Sequence, residues 1–94
     1  MADSSMTNIG AVEQYGKNLA NVNQQMVQIF KQIRQQTEGL RSSWNDNMFE
    51  NFRMDFDQDI MKKIQEISTK MEVFSKYVEE MCKIHRMAQQ QKYY

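Results

Sequence analysis

The sequence has no proline, one cysteine and three glycines among 94 residues, and each shortage excludes something. Without proline, nothing locks φ or deletes a backbone donor, so long helices can run unbroken. A lone thiol, Cys82, cannot form an internal disulfide, which fits synthesis in a reducing cytosol. The glycines (Gly10, Gly16, Gly39) fall within the first 40 residues and form no glycine-rich phosphate loop. An excess of either charge is also missing. The 12 basic and 12 acidic residues sum to zero, so bulk attraction to nucleic acid or to an anionic membrane is not indicated. No apolar run approaches the roughly 20 residues needed to span a bilayer, and no charged-then-apolar leader carries a cleavage site. The expectation is therefore neither a membrane span nor a cleavable signal peptide.

What is present is helical periodicity. After a small, polar start over residues 1–8, which predicts a frayed end, Val12, Tyr15, Leu19, Val22, Met26, Ile29, Ile33 and Leu40 recur at alternating steps of three and four, broken at Gln36. That is a heptad seam, and period-two alternation is absent. One position after it run Gly16, Ala20, Asn23, Val27 and Phe30; one position before it runs an amide row from Asn18 to Gln35. Residues 18–30 carry no charge. The middle of this helix therefore either meets neighbours on more than one side or turns its amides to water; both readings stand.

The second seam is Phe49, Phe52, Phe56, Ile60, Ile64, Ile67, Met71, Phe74, Val78 and Met81. Its early steps of three, four, four and four exceed a heptad and predict a relaxed supercoil near residues 52–64. Met48, Met54, Met61, Val73, Tyr77, Ile84 and Met87 widen the apolar surface off the seam. Acids (Glu50, Asp55, Asp57, Asp59) lie early in this helix and bases (Lys83, His85, Arg86, Lys92) late, both complementing the helix dipole.

Between the seams, Ser42-Ser43-Trp44-Asn45-Asp46-Asn47 holds the only tryptophan. Small, turn-favouring residues break the periodicity there, and Asn47 with Glu50 has capping-box spacing. The prediction is a single all-α domain over residues 1–94: helix 1 about 9–41, turn 42–47, helix 2 about 48–90, folded as an antiparallel hairpin with Trp44 lying across both helices. Rods of about 50 and 65 Å enclose no interior, so two hairpins are expected to dimerise into a four-helix bundle. Gly16, Ala20, Val27 and Phe30 with Met54 and Met61 are the predicted partner interface, the small pair allowing a close helix approach.

Enzymatic constellations are absent. His85 is the only histidine, and no Ser or Cys nucleophile has an evident base and orienter. Cys82 and His85 share a helix face but have no further Cys or His to complete a metal site. Asp55, Asp57 and Asp59 alternate like part of a calcium loop without its glycine and terminal Glu; a charged helix start explains them. No catalytic residue, metal or cofactor is expected. Lys83, Arg86 and Lys92 beside Tyr93 and Tyr94 make only a small basic tail patch, so nucleic acid is not an expected partner.

Length, helix–turn–helix layout and a central Trp44 followed by Phe49, Phe52 and Phe56 together resemble the WXG100 (ESAT-6-like) family of small proteins linked to type VII secretion. The likeness covers roughly residues 9–90. It implies a non-enzymatic export substrate, or a carrier or chaperone for a larger effector. It also implies homodimers or heterodimers with a similar hairpin, a secretion ATPase as a further partner, and passage from the bacterial cytoplasm to the outside without a cleavable leader. Two departures stand out. The turn motif Trp44-Asn45-Asp46 has Asp where the family has glycine. The family's C-terminal Tyr with an acid four residues later is missing, since Tyr77 is followed there by Met81. Export then depends on a partner that supplies the signal. From another class comes the alternative of a structural or regulatory coiled-coil subunit that stays in the cytosol.

Overall fold

A computed structural model describes residues 5–91; the first four residues and Lys92, Tyr93 and Tyr94 lie outside the described part. Helix α1 spans Ile9–Gly39. Asn8 caps it from an extended conformation, its side-chain oxygen accepting the Ala11 amide at 3.0 Å, which satisfies one donor the first turn cannot. A single 3₁₀ turn, Leu40–Ser42, tightens the exit from α1, and the Ser43 and Trp44 amides both donate to the Leu40 carbonyl at 2.9 Å. Helix α2 spans Asn47–Asp55 and continues through a π-helical turn, Phe56–Ile60, into α3, Met61–Gln91. No strand occurs among the described residues.

The cap of α2 is one residue earlier than the sequence suggested. Asp46, extended at φ −144° and ψ 134°, accepts the Phe49 amide at 3.1 Å, and Asn47 is already the first helical residue. Glu50 does not close a capping box. It accepts from the Arg53 guanidinium instead, at 3.2–3.3 Å. Arg53 also reaches Glu38 at 3.1 Å and so ties the end of α1 to α2 across the turn. No non-glycine residue among those described has positive φ, so Asp46 is not a strained stand-in for glycine; its carboxylate is the helix cap.

The pairs Glu13–Arg86, Gly16–Val78, Asn23–Ser68 and Phe30–Phe56 descend along one helix as they ascend along the other, which makes the hairpin antiparallel, as expected. On α1, however, the contact line is not the apolar seam, whereas on α3 it keeps the seam residues Ile64, Met71 and Val78. On α1 it follows Ile9, Gly16, Asn23, Phe30 and Thr37, seven residues apart, all buried or half-buried. On α3 it follows Ile64, Met71, Val78 and His85, flanked on one side by Ser68, Ser75 and Cys82. Small residues explain the choice: a Cβ built on Gly16 would sit 2.8 Å from Val78 Cγ1, so the backbones approach more closely than a Leu-and-Ile seam permits.

Packing is thin. Ile9, Val78 and Cys82 form a cluster near the open end, with Met6 and Val12 against it. Phe49 and Phe56 are buried toward the turn, where Phe56 stacks on Phe30. No described side chain is wholly enclosed. The Cα trace measures 71 × 24 × 14 Å with a radius of gyration of 20.4 Å, against about 12 Å for a compact domain of this length. The hairpin is a plate one helix thick.

Candidate interaction face

A plate has two broad faces, and this one makes them chemically opposite. Because the contact line runs one position beyond the seam on α1, seam residues fall along one edge of it. Tyr15, Val22, Ile29 and Ile33 on α1 and Ile67, Phe74, Tyr77 and Ile84 on α3 are all exposed, several by half or more of their surface. Tyr15 meets Phe74 edge to face with centroids 6.4 Å apart, and Phe74 stacks on Tyr77 at 5.9 Å. The two helices therefore present one largely apolar face, interrupted by the exposed Lys70 between Ile67 and Phe74 and joined across the hairpin by the Tyr15–Phe74 contact. Phe52 of α2 and Leu40 at the turn, each exposed by nearly half, extend it toward the bend.

The size of this exposed surface can be judged against expectation. The chain exposes 7709 Å², while a compact monomer of 11.3 kDa exposes about 5,700 Å². The excess, roughly 2,000 Å², counts polar and apolar surface alike and reflects the thin, elongated shape. Monomeric proteins rarely leave contiguous apolar patches beyond a few hundred Å².

The other face is charged and latched. Arg86 donates two bonds to the Glu13 carboxylate at 2.6 and 2.7 Å, and Arg34 pairs with Asp57 at 2.6 Å; both pairs bridge α1 to the returning arm. The Arg86 hydrogen bond, against the opposing effect of burial and aided by the positive charges of Arg86 and, less, Lys17, holds the Glu13 carboxyl below its usual range. Glu13 in turn raises the Arg86 guanidinium, and the hydrogen bond that Arg53 donates to Glu50 raises Arg53. Between the latches, α1 and α3 border a groove of about 850 Å³ whose floor includes Gly16, Ala20, Ser75 and Cys82. Asn23 reaches its wall; its amide nitrogen donates to the Ser68 carbonyl at 3.2 Å, but its oxygen is buried without a partner.

The residues expected to form a partner interface are thus divided. Gly16 is spent inside the hairpin against Val78, and Phe30 is stacked on Phe56. Ala20 is exposed in the groove, Val27 is half-buried, Met54 is exposed and Met61 is half-buried where α3 begins. Sequence reasoning passed over the seam as a surface because its heptads read equally well as the intrachain contact. A usable signal existed: Gly16 and Asn23 on one helix and Ser68, Ser75 and Cys82 on the other repeat at seven and mark a close crossing.

At the turn, Trp44 stacks on Phe49 at 5.0 Å with planes 24° apart, yet keeps 52% of its surface exposed. It leans on α2 and does not lie buried across both helices. Asn45 and Asp46 beside it are exposed. Of the three aspartates, Asp57 pairs with Arg34 across the hairpin and Asp59 with Lys63 one helical turn on. Cys82 packs in the Ile9–Val78 cluster, and no group of three potential metal ligands gathers among the described residues. No described helix is long and apolar enough to cross a membrane. No family model, curated protein or solved structure matches the chain.

Proposed function

We propose that this protein is a non-enzymatic assembly module whose apolar face is covered by a second helical hairpin, giving a four-helix bundle, and that it serves secretion as an export substrate or as a carrier for a larger effector. One observation carries the assembly reading: a largely apolar face built from both helices, with Lys70 the charge set between Ile67 and Phe74, uncovered in the single chain, on a plate with almost no interior. Burying such a face contributes about 25 cal/mol per Å², and net charge near zero sets no long-range barrier to association. The secretion part rests on the resemblance of layout and of the Trp44 turn to WXG100 proteins. A cytosolic coiled-coil subunit is the second reading, favoured by Met81 standing where the export signal needs an acid.

Sedimentation of the full chain tests the assembly. Val22→Glu and Phe74→Glu place a charge in the face and should each lower the sedimenting mass by half or yield unfolded chain, while Lys62→Glu on an exposed polar position should leave it unchanged. A mass equal to a single folded hairpin in the parent protein at every concentration defeats the reading. Export is tested by following the protein outside the cell when a neighbouring signal-bearing partner and the secretion ATPase are present or deleted. Retention in the cytosol with both intact favours the second reading.

A further inference from the structure

The groove face, which the bundle leaves outward, carries a feature that hairpin pairing does not use. Along the groove rim of α3 stand Glu72, Lys76, Glu79 and Lys83, with charges that alternate. Their spacings of four, three and four suit pairing within the helix. Even so, the side chains of Glu72, Lys76 and Glu79 enter no ion pair among the described residues, and Lys83 only touches Glu80 at 4.0 Å.

This row is complementary to its own reverse. Glu72 and Lys83 are equally far from the midpoint between Tyr77 and Val78, and so are Lys76 and Glu79. Laid antiparallel on a second α3 about a two-fold axis at that midpoint, every Glu of the row faces a Lys. A parallel pairing in register sets like charges opposite one another instead, which costs affinity and excludes that orientation.

We propose that the groove face is a second, weaker interface, occupied by the groove face of another copy of this chain with its α3 antiparallel. The charge row selects orientation more than it supplies strength, since exposed pairs contribute little each. The contact is therefore screened by salt, in contrast to the apolar face. Two faces of different chemistry allow bundles to associate further at high local concentration.

Sedimentation of the full chain across salt concentrations tests this independently of the apolar face, because the readout is a doubling of whatever mass is present at high salt. Lowering the salt should produce that doubling. Glu72→Lys and Lys83→Glu should each weaken it about tenfold or more by restoring like-charge contacts, and the two together should recover it, with helicity by circular dichroism unchanged in all three. No doubling at low salt overturns the proposal, as does a double variant no better than the single ones. Phe74→Glu separates the two readings: it should remove the salt-insensitive species and leave the salt-dependent doubling.

Discussion

Gly16→Ala and Gly39→Ala make the same chemical change in the same helix and should have opposite signs. In a helix interior, alanine is favoured over glycine by about 1 kcal/mol through backbone entropy. At Gly39 a Cβ meets nothing within 4 Å, so the variant should gain most of that, about 0.5–1 kcal/mol. At Gly16 the new Cβ lies 2.8 Å from Val78 Cγ1 and 3.4 Å from Val78 Cβ. Valine in a helix has essentially one χ1 well, so it cannot swing aside and the helices must part. Overpacking of this kind costs about 1–3 kcal/mol, which outweighs the propensity gain and leaves Gly16→Ala about 1 kcal/mol less stable than the parent. Val78→Ala alone should cost about 2 kcal/mol by opening a cavity under a residue only 6% exposed. Combined with Gly16→Ala it should cost less than the two separately, because the added methyl occupies the vacated space. Urea unfolding followed by circular dichroism, at one fixed protein concentration, measures all four variants. If Gly16→Ala stabilises as Gly39→Ala does, the helices do not meet along the Gly16–Val78 line, and the apolar seam regains its place as the intrachain contact.

Other consequences follow from single contacts. Trp44→Ala should cost about 1–2 kcal/mol by thermal unfolding, below the 3 kcal/mol or more of a buried tryptophan, because half of the ring is wet and its stacking on Phe49 is the main loss. Asn23→Leu removes a buried acceptor with no partner at the expense of one hydrogen bond, and should be neutral or up to about 1 kcal/mol stabilising; a loss of more than about 2 kcal/mol would show that a donor does serve that oxygen. The Glu13 carboxyl is held below its ordinary value by Arg86, so its stabilising contribution is present above the unfolded-chain value and disappears as pH falls through the lower folded value. Arg86→Gln should accordingly melt earlier than the parent at neutral pH, the gap closing in acid; a gap unchanged from neutral to acid pH would refute the latch.

The hairpin was legible in the sequence because its signals are local: two heptad patterns, no proline, and one cluster of turn-formers. What the sequence left ambiguous was rotational phase. A helix with apolar residues at Tyr15, Leu19, Val22 and Met26 and small ones at Gly16, Ala20 and Asn23 has two adjacent stripes, one position apart. Hydrophobicity favours turning the first inward, while close packing favours the second. The structure turns the second inward because Gly16 opposite Val78 and Asn23 opposite Ser68 let the helices approach, which leaves the larger apolar stripe outward. The turn was misjudged for a related reason. Asp46 and Asn47 are both good N-caps, and only the backbone conformation of Asp46, extended just before the first helical residue, decides between them.

The step pattern in the second arm, from which a relaxed supercoil near residues 52–64 was expected, takes a different physical form in the structure. From Phe52 to Ile64 the seam takes three steps of four, twelve residues, where three α-helical turns need roughly eleven. A continuous α-helix would let the stripe drift by about one residue, carrying Ile64, Met71 and Val78 away from α1. A relaxed supercoil spreads that drift over several turns, whereas a single π turn absorbs it in one place. The chain takes the second course: the Met61 amide reaches back five residues to the Phe56 carbonyl. Phe56, at the first position of that turn, is only 3% exposed and stacks on Phe30, so the widened turn is anchored against α1. Asp57 on the same turn is tied to Arg34. The irregular turn is thus fixed on two sides and keeps the later seam of α3 in phase with the apolar face of α1.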